Sequence, residues 1–305
     1  MKKALIAIIS VCIIRSAMAQ IEPMYGMYRF NALALNPAQA GTTVSPQISG
    51  LSRWQWSGIE GAPNTNTLSF NTPYKQNVGF GATVISDKLG PVSDFYLGLD
   101  YGYHVRISNK LKLSSGLRLG IINHRVDLTN RQIVDQNDPA FKTNLNTGFR
   151  INPGLGFLLS GENFFAGISM PRLLRYSFGS IQNVSAFKDV NHTFLYGGWN
   201  KRINEEVTFR PSVNINFSPD APVSLDVNAM VTVKRALDMG LMVRGGDAIG
   251  LIFGYKISPS LYLGYSYEYP TSVIKRVSFM SNEIALRFTT GSIDNKRVLT
   301  PRYFN

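Results

Sequence analysis

Apolar and polar residues alternate, one position at a time, along several long stretches of the chain. From Phe95 to Ile107 every odd position is apolar, whereas the even positions are mostly polar residues or glycine. The pattern recurs over 111–121, 207–217 and 223–233. Because successive side chains of a strand point to opposite faces, this alternation predicts long antiparallel strands with two chemically different faces.

The length of these stretches separates two all-β architectures. A soluble sandwich uses strands of about five or six residues, and a transmembrane barrel needs about nine to eleven. The alternating stretches reach ten residues or more, and their polar face carries Asp, Arg and Lys, which suits a wet lumen better than a second core face. An open sheet edge in lipid would leave backbone groups without partners. The sequence therefore predicts an all-β, antiparallel transmembrane outer-membrane β-barrel.

The spacing of the strands predicts about fourteen of them, an even number, as in bacterial barrels. Short connections at 109–110, 161–163, 204–206, 235–236 and 259–260 follow even-numbered strands. The longer stretches 128–147, 172–190 and 270–280 follow odd-numbered strands. With the amino terminus in the periplasm, the short connections become periplasmic turns and the long ones extracellular loops.

The chain divides into four predicted regions. Residues 1–19 have the charged start, the apolar run and the small-residue cleavage site of a secretory signal peptide, which is favoured over a short buried helix. Residues 20–45 lack alternation and form a periplasmic or plug segment, 46–290 form the barrel, and 291–305 form a periplasmic tail. The single cysteine, Cys12, falls in the signal peptide, so the exported chain is expected to contain none.

Charge adds a further expectation. The chain has a formal net charge of +12 with only 16% charged residues, and the basic residues do not form one run, so no nucleic-acid partner is expected. A basic excess stands on the predicted luminal face, and an open lumen of this kind would favour anions. The arginines expected to line it are Arg106, Arg118, Arg150, Arg210, Arg244 and Arg287.

Motifs for catalysis, cofactors or metals are not found in the sequence. The three histidines, His104, His124 and His192, lack the neighbours that a nucleophilic hydrolase requires. They are interpreted as polar lumen or rim residues. The predictions are therefore no enzymatic activity, no cofactor and no metal site; an outer-membrane hydrolase is the least favoured alternative.

Several separate motifs are shared with a known family. They are Tyr28-Arg29-Phe30-Asn31, Leu35-Asn36-Pro37-Ala38-Gln39-Ala40-Gly41, Arg53-Trp54-Gln55-Trp56 with Gly58 and Gly61-Ala62-Pro63, Gly79-Phe80-Gly81, Asp87-Lys88-Leu89-Gly90, Asn282-Glu283-Ile284-Ala285-Leu286 and Pro301-Arg302-Tyr303-Phe304. With these motifs the chain resembles the PorP/SprF family of type IX secretion system membrane proteins. Gln39 departs from the family, which often has tyrosine there.

The resemblance implies a non-enzymatic outer-membrane component that supports secretion or surface attachment of a partner protein, such as an adhesin. The implied partners are a secreted protein with a type IX C-terminal sorting domain, translocon or periplasmic components, and outer-membrane lipid. A passive, anion-leaning outer-membrane channel is the alternative. Trp54 and Trp56 share a parity and are expected to be interfacial anchors. The motif residues expected to contact the plug or a partner are Asn31, Asn36, Pro37, Ala38, Gly41, Arg53, Trp54, Trp56, Gly58, Pro301, Arg302, Tyr303 and Phe304.

Overall fold

The computed structural model describes residues 24–127, 144–181, 184–188, 190–219, 221–278 and 280–290. The predicted signal peptide and tail lie outside these ranges. Fourteen antiparallel strands form a closed barrel, as the alternation predicts. The strands are β1 Gln47–Trp54, β2 Asn64–Lys75, β3 Val78–Leu89, β4 Val92–Arg106, β5 Lys112–Val126, β6 Gly154–Ser160, β7 Phe164–Met170, β8 Thr193–Trp199, β9 Val207–Ser218, β10 Ala221–Val233, β11 Leu237–Arg244, β12 Ala248–Lys256, β13 Leu261–Pro270 and β14 Ser281–Thr289.

Short segments extend this frame. Leu145–Asn146 and Arg150–Ile151 pair with β5 beyond the end of β6, and Lys201–Arg202 continues β8 against β9. Ser177–Ile181 and Val184–Lys188 form a separate hairpin. No helix within the described ranges is long and apolar enough to span a membrane.

The barrel closes where its last strand meets its first. β14 pairs with β1 in antiparallel register, with Gln47 opposite Thr289 and Trp54 opposite Asn282. The closed ladder gives the edge strands backbone partners, which the hydrocarbon region of a membrane demands.

The two faces of the wall differ as the alternation predicts. Leu99, Leu117 and Leu241 are 49–65% exposed on the outside, whereas Asp100 and Arg118 are buried inside. Large apolar side chains outside and polar ones inside are the arrangement of a transmembrane barrel. Exposed aromatic residues on the outer face include Tyr101, Tyr103, Trp199, Tyr255, Tyr265 and Tyr269.

The two ends of the barrel have different connections. Every connection after an even-numbered strand is short: 76–77, 107–111, 161–163, 203–206, 234–236 and 257–260. We call this the short-turn end, and β1 starts there. The opposite end, which we call the long-loop end, has long connections at 55–63 and 271–280 and short ones at 90–91 and 245–247.

The segment before β1 lies within the barrel rather than in its wall. Residues 25–41 are all buried. They include one turn of helix, α1 (Ala32–Leu35), and a 3-10 helix, Pro37–Gln39. We call residues 24–41 the plug. Because its hydrogen-bond partners stand on strands from β2 to β14, the plug spans the lumen from wall to wall.

Candidate functional site: the occupied lumen

Four glycines form a row across the inner wall. Gly79 of β3 lies opposite Gly102 of β4, Gly102 opposite Gly116 of β5, and Gly116 opposite Gly156 of β6. The plug residues 36–41 lie directly against this row. We call these four residues the glycine row.

The contact between the plug and the glycine row leaves no room for side chains. A Cβ atom on Gly116 would lie 2.0 Å from the backbone nitrogen of Ala38. A Cβ atom on Gly102 would lie 2.2 Å from the carbonyl oxygen of Ala40. Backbone atoms cannot rotate away as side chains can. The close approach therefore requires glycine in the wall.

Asn36 fixes the plug on this wall. Its Oδ1 accepts a hydrogen bond from the Ala38 N–H at 2.8 Å, which caps the 3-10 helix that Pro37 begins. Its Nδ2 donates to the Phe157 carbonyl at 3.0 Å. An asparagine cap followed by proline suits the start of a helical turn, so the Asn-Pro pair both ends α1 and binds the barrel.

The next residues of the motif are held in the same way. Gln39 donates from Nε2 to the hydroxyl of Tyr196 at 2.9 Å. Gly41 has a φ of +80°, which favours glycine, and its N–H donates to Asn71 Oδ1 at 2.7 Å. After Gly41 the chain leaves the lumen and reaches the start of β1 at Gln47.

A buried network of arginines and carboxylates holds the other end of the plug. Arg53 donates to Glu268 at 2.5 and 2.8 Å and also to Glu283. Arg244 bonds Asp226 at 2.8 Å and Glu268 at 3.2 Å. All five side chains are at most 2% exposed. Buried charges of this kind are tolerated only when paired and hydrogen-bonded.

This network, which we call the arginine network, binds the plug backbone directly. The Glu283 carboxylate accepts hydrogen bonds from the N–H groups of Gly26 at 2.7 Å and Met27 at 2.8 Å. Asn228 donates to the Gly26 carbonyl at 2.9 Å. Strand β14 therefore both closes the barrel and holds the plug.

Two further arginines satisfy carbonyl groups of the plug. Arg118 forms an ion pair with Asp100 at 2.5 Å and donates to the carbonyls of Leu33 at 2.6 Å and Ala34 at 2.9 Å. The last carbonyls of a helix have no partner within it, and Arg118 supplies one for α1. Arg287 donates to the Phe30 carbonyl at 2.5 Å and stacks over the Phe30 ring.

Comparison with known protein families finds one family that matches most of this chain. The family of type IX secretion system membrane proteins PorP/SprF matches residues 17–288. The chain belongs to the PorP/SprF family. This membership and the closed barrel mark it as an outer-membrane component of type IX secretion, a family and fold that are non-enzymatic in kind. A comparison with curated protein sequences finds no match.

Solved structures similar to this PorP/SprF chain are membrane barrels. The toluene transporter TbuX of Ralstonia pickettii is 11% identical, with a TM-score of 0.52, covering 86% of this chain and 94% of that one. The monoaromatic hydrocarbon channel CymD is 10% identical, with a TM-score of 0.50, covering 87% and 94%. At such low identity these likenesses show the fold alone.

The arginines that the sequence predicts to line the lumen take three kinds of position in this PorP/SprF barrel. Arg118, Arg244 and Arg287 are buried and bonded as described above. Arg210 is half-buried, 3.6 Å from Asp238. Arg106 and Arg150 stand on the inward face, opposite Lys112 and Ile122. Both are exposed, Arg106 at the short-turn end and Arg150 at the long-loop end, so they lie at the mouths of the barrel and not in its filled interior.

Some plug residues were not singled out by the sequence as site residues. Tyr28 donates to Ser212 at 2.8 Å, and burial raises the pKa of this phenol, so it stays a donor. Arg29 donates to Asn200 at 2.9 Å and lies over the Phe165 ring. Both lie next to Asn31, whose Oδ1 accepts from Ser69 at 2.9 Å. Both belong to the Tyr28-Arg29-Phe30-Asn31 motif, and that membership was the signal available in the sequence.

Trp54 and Trp56 do not lie on the same face of one strand. Trp54 ends β1 and is 40% exposed on the outer surface. Trp56 lies beyond the strand with a φ of +52°, and its N–H donates to Ser281 Oγ at 3.0 Å. The shared parity expected for the two is wrong because the strand ends between them. Gly58, with a φ of +99°, is exposed in the same loop.

The predicted site residues of the carboxy-terminal motif lie outside the described residues. They are Pro301, Arg302, Tyr303 and Phe304.

The histidines make structural contacts. His104 Nδ1 lies 2.7 Å from Ser114 Oγ, but Ser114 is fully buried, so a substrate could not reach its hydroxyl. His124 pairs with Asp94 at 2.8 Å, and His192 with Asn216 at 3.0 Å. In the part of the chain that the structure describes, no group of three or more His, Cys, Asp or Glu side chains could hold a metal ion.

Proposed function

We propose that this barrel is a non-enzymatic scaffold that supports secretion or surface attachment of a partner protein, such as an adhesin, through the partner's C-terminal sorting domain. The family supplies the type IX setting. The proposed partner contacts are at the long-loop end, which we take as the extracellular end because bacterial barrels have short periplasmic turns.

The occupied lumen is the observation that carries this proposal. The plug meets the glycine row without space for a Cβ atom, and its other end is held by Glu283 and Asn228. A barrel filled in this way favours a role as a scaffold, with its function at its ends, over a role as a conduit.

The loop after β1 supports a docking role for the long-loop end. Within 55–63, Gln55 donates to the Pro63 carbonyl at 2.9 Å, and Ser57 to the Met280 carbonyl at 2.8 Å. Gly61 accepts from the Gly90 N–H at 2.8 Å. The loop is thus tied to the loop before β14 and to the turn between β3 and β4, which favours a preformed surface.

The proposal is tested by comparing surface and secreted proteins between the parent strain and a strain in which this gene is deleted. Loss of one or two large secreted proteins, restored by the intact gene, is the expected result. Loss of every type IX cargo would instead make the barrel part of the core machine. Unchanged profiles would overturn the proposal and favour the passive channel.

A further inference from the structure

The short-turn end presents a set of cations that neither the plug nor the lipid face uses. They stand in or beside the turns after β4, β8, β10 and β12. Five are exposed and Lys112 is half-exposed. They are Arg106, Lys112, Arg202, Lys234, Arg235 and Lys256. We call these six residues the basic rim.

Carboxylates at this end do not neutralise the basic rim. The described ones in the turns are Glu162, Glu205 and Glu206, all exposed after β6 and β8. Asp238, at the start of β11, is buried and lies 3.6 Å from Arg210, outside the basic rim. None of the six cations forms an ion pair within the described ranges. The tail that follows β14 is itself net basic. The short-turn end therefore carries a positive surface available to a partner.

Strand parity directs much of the basic rim away from lipid. Arg106 and Lys112 are cross-strand partners on the same face as the buried His104 and Ser114. Lys256 lies two positions from Gly254 on the inward face of β12. Cations that bind lipid headgroups would stand on the outward face, so this placement favours a partner in water beneath the barrel mouth.

The turn after β10 gives an independent indication. Lys234 and Arg235 have φ values of +49° and +54°, and the Ala236 N–H bonds the Val233 carbonyl at 3.0 Å. A tight hairpin turn with two positive φ values prefers asparagine and glycine. Two long cationic side chains therefore occupy positions where this turn prefers asparagine and glycine. Such a local departure from the preferred turn residues points to a role of Lys234 and Arg235 other than folding.

We propose that the basic rim docks an acidic surface of a periplasmic protein, holding that protein across the mouth of the plugged barrel. The inference does not depend on the identity of the secreted cargo, because the surface lies at the end opposite the proposed cargo contacts. Its failure is therefore distinguishable from failure of the proposed function.

The first test uses the full-length barrel in phosphatidylcholine nanodiscs with a fluorescent polyglutamate peptide as the probe. The rim variant combines Lys234→Asn, Arg235→Gly, Arg202→Gln and Lys256→Gln. Its first two changes install the residues that the turn prefers, so loss of folding does not explain loss of binding. We expect the rim variant to bind about tenfold more weakly and the wild type to weaken with salt.

A control removes charge at the other end, and it is compared also with Lys234→Asn and Arg235→Gly alone, so that each variant loses two cations. The exposed residues Lys275 and Arg276, changed to Lys275→Gln and Arg276→Gln, should leave probe binding unchanged. The proposal is overturned if this control weakens binding as much as the rim variant. A second set of nanodiscs contains phosphatidylglycerol as well. The proposal is also overturned if the rim variant binds the probe as the wild type does and loses only its association with phosphatidylglycerol, which would make the basic rim a lipid headgroup site.

The second test identifies the partner in cells. A photo-crosslinking amino acid at the exposed Ser258 should capture a periplasmic protein of acidic surface, and the rim variant should lose that product. Capture that is unchanged in the rim variant, or no protein product at all, would contradict the proposal.

Discussion

Arg53 lies with 1% of its surface exposed between two carboxylates, so its removal would leave both Glu268 and Glu283 short of their shared counter-charge. Breaking a buried ion pair on one side costs about 3–5 kcal/mol. We expect Arg53→Gln to destabilise the folded barrel by about that amount. The measurement is thermal unfolding in detergent. Samples are heated to increasing temperatures, and the loss of the compact folded band is then followed on a gel that is run without further heating.

The control for Arg53 is an exposed arginine of the barrel wall. Arg125 of β5 is exposed, and Arg125→Gln should unfold at the wild-type temperature, since exposed ion pairs contribute at most about 1 kcal/mol. Equal unfolding temperatures for Arg53→Gln and the wild type would show that the arginine network does not hold the fold together.

The glycine row gives a second prediction on the residue scale. Gly116→Ala places a methyl group 2.0 Å from the backbone nitrogen of Ala38, so the plug must leave the wall. We expect trypsin to cut at Arg29, which is 5% exposed in the wild type, while the barrel stays folded. Gly50→Ala is the control, because its Cβ meets nothing within 4 Å. Continued protection of Arg29 in Gly116→Ala would contradict the packing described above.

On the scale of elements, alternation predicts strands well because the inward and outward faces differ so strongly in chemistry. The prediction fails where the alternation stops. Trp54 and Trp56 were expected to share the parity of one strand, but β1 ends at Trp54. Trp56 and Gly58 adopt positive φ values, which a strand does not accommodate. The plug motif is recognisable from the sequence, but its binding surface is not. Gly79 and Gly156 lie far apart in the chain, and only the strand registers bring them into one row.

The prediction of a basic lumen is limited in the same way, because the sequence does not reveal which residues the strand registers bring together. Parity places Arg118 and Arg244 inside the barrel, but sequence alone does not reveal that Asp100 and Asp226 face them across neighbouring strands. Glu283 was recognised as part of a motif, without its role as a partner of both Arg53 and the plug. Charge counts along one face therefore predict the polarity of a lumen better than its selectivity.

The plug as an element carries the next prediction. The intact protein should be electrically silent in planar bilayers, because residues 25–41 are buried across the lumen. A variant lacking 24–40 should conduct, since the glycine row would then face open water. The Gly50→Ala protein serves as a silent control. Steady conductance of the wild type would contradict a sealing plug and favour the passive channel.

For the molecule as a whole, the two proposals depend on which end of the barrel faces the cell. Short connections after even-numbered strands predict that the short-turn end lies in the periplasm. The exported chain is expected to contain no cysteine, so single cysteines report this orientation. Glu60→Cys lies in the loop after β1 and Glu205→Cys in the turn after β8, both at exposed positions.

A membrane-impermeant maleimide should label Glu60→Cys on intact cells and Glu205→Cys only after the outer membrane is permeabilised. The expected result follows because the reagent cannot cross the membrane to reach a periplasmic turn. Labelling of Glu205→Cys on intact cells would reverse the barrel. The basic rim would then face the medium and the loop containing Glu60 the periplasm, so the proposed acidic partner and the secreted cargo would have to exchange ends.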